Sequence, residues 1–221
     1  MADDYKISFR KLKGAAKDFR YLLNRGHPRT GSLDLIGNTY ELDYEQRHLL
    51  RRGVFSNAEA QHRKAKLVPL EKVRDCLLGI DGHNVLITVE SAFKGKPLIY
   101  ADDGVVRDIA GVSARYRITE TSLQALKAIF EVLKQYEPQD TLLLFDAPIK
   151  HSGELASLVR KMLDEYELSG SAQIERYPES RLKAMKLVAT SDSDLMNRVE
   201  SVVDLAGYIV RENLKRKLIR L

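Results

Sequence analysis

Three apolar runs, far apart in the chain, each end in aspartate. LLGID closes on Asp81, LLLFD on Asp146 and KLVATSD on Asp192, with Asp194 two residues further on. Unbroken Leu, Ile and Val without polar alternation mark strands buried on both faces. Helical periodicity fills the spaces between them. In TETSLQALKAIFEVLKQYEP, Leu123, Leu126, Ile129, Phe130 and Leu133 form one stripe, with Thr119 or Thr121 as cap and Pro138 past the end. SGELASLVRKMLDEYEL is a second helix, capped by Ser152, and HNVLITVESAF a third. Alternating strands and helices predict the α/β class, with a mainly parallel open sheet flanked by helices. PLIYADDGVVRDIAG reads as a hairpin turning at Asp103-Gly104. AQIERYP reads as a short strand and AGYIVREN as an edge strand before the basic tail LKRKLIRL.

The first 75 residues have a different texture. A basic helix is expected over 8–25, started by Ser8 and stopped by Gly26. GHPRTGS follows as a turn cluster, then LDLIG as a short apolar segment. Asp43 caps a second helix, YEQRHLLRRGVF, whose polar side carries Arg47, Arg51 and Arg52. A third helical stretch, NAEAQHRKAKLVPLEKVRD, is cut at Pro69. The expected organisation is a basic helical module over 1–75 and an α/β domain over 76–221. Charge supports that division. Residues 1–76 hold 16 Lys and Arg against 10 Asp and Glu, whereas 77–221 hold 20 against 21. A basic module suggests an anionic partner, of which nucleic acid is the commonest, and a solvated basic face is the plainer alternative.

In an open parallel sheet the carboxyl ends of the strands share one edge, where ligands bind. Asp81, Asp146, Asp192 and Asp194 are thereby placed on that edge. Gathered carboxylates repel one another unless a cation sits among them. Mg²⁺ or Mn²⁺ suits an all-oxygen donor set and can neutralise phosphoryl charge. Against this stands the ordinary use of Asp as a turn former or helix cap, for Asp194 above all. Asp102 and Asp103 fit the hairpin turn better than the acid cluster. Arg107 is either a surface partner of Asp108 or a phosphate holder. Ser152 either caps its helix or offers that helix's N-terminal amides to a phosphate. His83 reads as loop filler beside Asp81, and Cys76 as a small apolar residue.

Several function classes are excluded. No P-loop, no dinucleotide-binding glycine fingerprint and no serine-nucleophile elbow occurs. One cysteine rules out an intrachain disulfide. No run reaches the ~18 apolar residues that span a bilayer. MADDYKISFRKLKG lacks the apolar stretch of a secretory signal. A cytoplasmic protein is expected.

LLGIDGHNVLI resembles the first strand and loop of PIN-like nucleases, especially their NYN branch, and VATSDSDLM is similar to the later Asp-x-Asp motif. The pattern covers residues 77–210. The whole chain also resembles a prokaryotic family that joins a small helical domain to this one. The resemblance implies a Mg²⁺- or Mn²⁺-dependent ribonuclease. Asp81, Asp146, Asp192 and Asp194 would hold the metal, and Asn84 would orient Asp81 or touch a phosphate. Arg47, Arg51, Arg52, Arg107 and Ser152 would then meet nucleic acid. RNA is the expected partner, with a homodimer open. One departure stands out: many PIN domains carry a further acid on a middle helix, for which Glu90 and Glu120 are candidates by position only. The rival reading is a non-catalytic nucleic-acid-binding or assembly protein on a degenerate nuclease fold.

Overall fold

The computed structural model describes residues 2–109 and 116–221, with side chains from residue 9 onward. Five strands form one parallel sheet: β1 (Leu77–Asp81), β4 (Asp140–Asp146), β5 (Gly170–Glu175), β6 (Leu187–Ala189) and β7 (Ser201–Val203). The spatial order is β5-β4-β1-β6-β7. The chain moves outward from β1 through β4 to β5, then returns to the other side of β1 for β6. That reversal makes the carboxyl ends of β1 and β6 a topological switch point, where doubly wound sheets open a crevice. The short strands β2 (Leu98–Tyr100) and β3 (Val106–Asp108) pair antiparallel outside this sheet.

The apolar runs are unbroken because both faces of the sheet are covered. Leu143 and Phe145 of β4 and Ala189 of β6 join the core beneath α5 (Gly82–Phe93), α6 (Glu120–Tyr136) and α7 (Ser152–Glu165). Leu144 and Val188, one residue out of phase, point the other way toward α8 (Pro178–Leu182) and α9 (Ser193–Arg198). Each large side chain buried this way stabilises the fold by roughly 1.5–3 kcal/mol.

Four helices precede the sheet: α1 (Ala2–Asn24), α2 (Arg29–Thr39), α3 (Tyr44–Gly53) and α4 (Asn57–Lys64). Capping boxes start α3 at Asp43 and α4 at Ser56, so two orphan amide ends are satisfied locally. α1 begins at Ala2 rather than Ser8, and Gly26 ends it with φ +80°. The expected turn holds at residues 26–28, but the rest of it and the apolar segment, residues 29–37, lie in the helix α2. Its Gly37 lets the Arg47 guanidinium lie where a Cβ would come within 2.0 Å. α4 stops five residues before Pro69, and the proline opens a single tight turn, Leu70–Val73. Between them Leu67 bridges Val202, which covers the β7 edge.

The helical part and the α/β part share a core. Phe19, Leu23 and Leu50 pack together with Ile99 of β2 and with Ile109. Ile99 presses on Gly53, where an added Cβ would lie 2.1 Å from its Cδ1. The last predicted strand, AGYIVREN, is helical: α10 (Leu205–Tyr208) runs into a wide turn, Ile209–Asn213. Asp204 causes this by accepting from the Gly207 amide at 2.9 Å. Ala110 and Gly111, the end of the predicted hairpin, lie outside the described residues. No helix among the described residues is long and apolar enough to cross a membrane.

Candidate functional site

The switch point holds a cavity of about 140 Å³ lined by Asp81, His83, Asn84, Asp146, Asp192 and Glu179, with Pro178 and Leu182 of α8 as its apolar wall. Three acids from three adjacent strands therefore face one space. Asp81 ends β1, Asp146 ends β4, and Asp192 follows β6. Gly82 allows the sharp turn from β1 into α5. A Cβ there would lie 2.5 Å from the Phe145 ring and 2.8 Å from the Leu144 carbonyl oxygen.

Asp81 lies in an environment that disfavours its charge. Burial pushes its carboxyl up to about 7, with Asp192 and Asp146 adding repulsion. The Thr190 hydroxyl, which donates to Asp81 Oδ2 at 2.9 Å, and the Asn84 amide pull the other way. Asp192 Oδ1 accepts from the Asp194 and Leu195 amides and so caps α9. Neither Asp81 nor Asp192 has an ion-pair partner among the described residues. Asp146 does: its Oδ2 lies 2.9 Å from His83 Nδ1.

His83 is not loop filler. It is fully buried in the first turn of α5, against the edges of Phe145 and Tyr116 at 5.2 and 5.8 Å between centroids. Its Nδ1 can accept from the Asp146 amide at 3.1 Å or donate to the Asp146 carboxylate, while Nε2 is buried with no partner among the described residues. Thr190 is a second residue that the sequence reading missed; the only pointer to it was the polar Thr-Ser-Asp run after an apolar strand. Asn84 meets neither Asp81 nor open space with its carboxamide oxygen. That oxygen accepts from the Ser191 amide at 3.0 Å and the Ser191 hydroxyl at 2.7 Å, which fixes the β6 loop to α5.

The remaining predicted residues lie elsewhere. Asp194 is exposed and faces the neighbouring cavity with Lys183 and Arg198. Ser152 is the first residue of α7, not its cap, and its buried hydroxyl donates to the carbonyls of Asp146 and Ile149 at 2.7 and 2.6 Å. Arg107 is buried rather than superficial. It forks onto Asp103 at 2.7 and 2.8 Å and donates to the Ser191 carbonyl at 2.6 Å, so its guanidinium is committed to protein oxygens. Asp108 receives Arg52 instead, at 3.5 Å, and Arg52 also donates to the Asp108 carbonyl. Arg47 donates to Asn38 Oδ1 and to the Leu42 carbonyl. Of the three α3 arginines only Arg51 is exposed. Glu90 is buried between Tyr116 and Lys94, and Glu120 is exposed at the start of α6; neither lines the acidic cavity. Asp102 and Asp103 do form the hairpin turn, yet Asp102 also receives a bidentate Arg20 at 2.8 Å, and Asp103 receives Arg63 at 3.0 Å.

Among the described residues, no three Asp, Glu, His or Cys side chains come together as a ready cage for one metal ion. What the cavity offers is an oxygen donor set with two carboxylates lacking a counter-charge. This fits Mg²⁺, which keeps most of its water and is held by one or two carboxylates.

Residues 70–208 match the family described as a domain of unknown function (DUF5616), and residues 11–66 match a protein of unknown function (DUF434). An uncharacterized protein of Methanocaldococcus jannaschii is 34% identical over 208 residues, covering 93% of this chain and 99% of its own length. No solved structure matches. The matches meet between residues 66 and 70, where α4 gives way to the turn before β1. The chain belongs to the DUF5616 family, joined at its N-terminal side to a DUF434 segment.

Proposed function

We propose that the protein is a Mg²⁺- or Mn²⁺-dependent ribonuclease of the cytoplasm, acting at the switch-point cavity. The observation that carries this reading is the convergence of Asp81, Asp146 and Asp192, from three neighbouring strands, on one cavity. Asp81 and Asp192 are the residues to hold a largely hydrated cation. Such a cation, when bound, supplies charge neutralisation at a phosphoryl oxygen and lowers the pKa of water. The protein's own part is positional. Thr190 and the Asn84 amide orient Asp81, Ser191 is pinned by Asn84 and Arg107, and Asp192 is held by the α9 amides. The arrangement is in keeping with the resemblance to NYN-type nucleases.

The test is cleavage of labelled single-stranded RNA with Mn²⁺ or Mg²⁺, beside an Asp81→Asn/Asp192→Asn variant. Cleavage by the parent and a loss of at least 100-fold in the variant are expected. Equal cleavage by both, or none by either, would sink the reading. The use of Asp146 as the partner of His83 and of Asp192 as the α9 cap favours one alternative, a non-catalytic nucleic-acid-binding or assembly protein on the same fold. It predicts RNA binding that EDTA leaves unchanged and no cleavage under any metal.

A further inference from the structure

Cations without acid partners among the described residues also gather away from α3. α5 starts at the acidic cavity and ends at Phe93, about 18 Å away at 1.5 Å per residue. Past its end, the 94–97 loop and the C-terminal segment enclose a cavity of about 340 Å³. Its walls carry Lys96, Arg216 and Lys217, all exposed and none in an ion pair among the described residues. Its floor is apolar, from Phe9, Pro97 and Ile219.

The backbone that presents these cations is fixed. The Ile219 amide donates to the Leu98 carbonyl, and the Tyr100 amide to the Ile219 carbonyl, each at 2.9 Å. The Arg216 amide donates to the Val210 carbonyl at 3.0 Å. Gly95, at φ +68°, turns the loop so that Arg216 Nη2 would lie 3.4 Å from a Cβ there. A second cavity, of about 170 Å³, adjoins the first across Phe9, Pro97 and Ile219, and its far side carries Asp43 and Glu45. The two adjoining cavities together thus offer cations on one side, shared apolar residues between them, and acids on the other.

We propose that this cleft binds a nucleotide, with its phosphate on Lys96, Arg216 and Lys217, its base against Phe9, and the base's amino group toward Asp43 and Glu45. The size falls within the range of about 300–1,000 Å³ usual for small-ligand pockets. Fixed cations beside an aromatic face are the pairing that reads phosphate and base together. The acids at the far end disfavour a second phosphate there and favour a base that donates hydrogen bonds. A free nucleotide and one unit of an RNA strand share this chemistry. The site does not require the acidic cavity to be catalytic.

The experiment uses the full chain in EDTA at low salt, so a failure here is independent of any failure of metal-dependent cleavage. Binding of AMP is followed by calorimetry, and binding of a labelled 12-nucleotide oligoadenylate by fluorescence anisotropy. The Lys96→Ala/Arg216→Ala/Lys217→Ala variant is compared with a control of equal charge change, Lys72→Ala/Lys127→Ala/Lys161→Ala, all exposed residues away from this cleft. Phe9→Ala tests the base contact. The expected result is at least tenfold weaker binding in the first variant, severalfold weaker in Phe9→Ala, and less than twofold change in the control. For the strand, the slope of log K against log salt should also fall by about 2, at ~0.7 per lost phosphate contact. Loss with AMP supports a free nucleotide, and loss with the strand alone supports a strand unit. Neither probe binding to the parent, or equal weakening in the control, overturns the proposal.

Discussion

Asp103 has no solvent to lean on and two guanidiniums to answer. Burial alone would raise its pKa, but the Arg107 ion pair, then hydrogen bonds from Arg107 and Arg63, bring it below the ordinary carboxylate value. Asp103→Ala would strand two buried cations, and loss of one partner of a buried pair costs about 3–5 kcal/mol. Urea denaturation of the variant should show a loss of that order; a change under 1 kcal/mol would mean that the arginines find other partners. The pH dependence follows by sign. A carboxyl lowered in the folded state contributes stability present above its unfolded value of about 3.9. That stability is lost as pH falls through the lower folded value, so the parent should weaken below about pH 4 more steeply than Asp103→Asn. Arg107 also props the Ser191 carbonyl, so under the proposed function Asp103 variants that remain folded should bind Mn²⁺ less tightly than the parent in a calorimetric titration.

Among elements, the β1–α5 junction is closely packed against β4. Gly82→Ala forces a methyl group into the Phe145 ring and the Leu144 carbonyl, and overpacking of this kind costs about 1–3 kcal/mol. A matching fall in thermal midpoint is expected, and an unchanged midpoint would refute the close approach. The strands flanking this junction were legible in the sequence because their centres are buried and read as apolar runs without polar alternation. So were α6 and α7, by their stripes, and the Asp43 cap of α3. Other elements were hidden for physical reasons. β7 is three residues long, too short to show a period. α2 contains Gly31 and Gly37, both poor helix formers, and packing against Arg47 accounts for Gly37 alone. Ile209 and Val210 are strand formers held in a helical turn because Asp204 caps it and both side chains are buried. At the site, Asp81, Asp146 and Asp192 were legible because strand ends share an edge. His83 and Thr190 were not, since their importance lies in partners 63 and 109 residues away.

On the scale of the whole molecule, part of the basic surplus of the first 76 residues is spent inside the protein. Arg20, Arg52 and Arg63 cross from the helices to Asp102, Asp108 and Asp103 of the hairpin. Arg29, Arg63 and Arg107 gather over the Phe55 ring at 4.5, 4.3 and 5.0 Å. Charge counting placed the cations correctly in the sequence but could not show which were already answered. The family boundary near residue 68 should therefore not be a folding boundary. Full-length protein is expected to unfold in one calorimetric transition, and a 70–221 fragment to aggregate or melt far lower, with Ile99 and Ile109 uncovered. Two separate transitions, or a fragment as stable as the parent, would contradict this. The hairpin turn at Asp102-Asp103 also sets a timetable for the nascent chain. Arg20 leaves the ribosome 82 residues before its partner and Arg63 40 residues before. At ~5–20 residues per second, the first of these waits lasts roughly 4–16 s. Through that interval the four helices carry an apolar face and unanswered guanidiniums, so the birth of this protein includes a period in which it is a ready client for a holding chaperone.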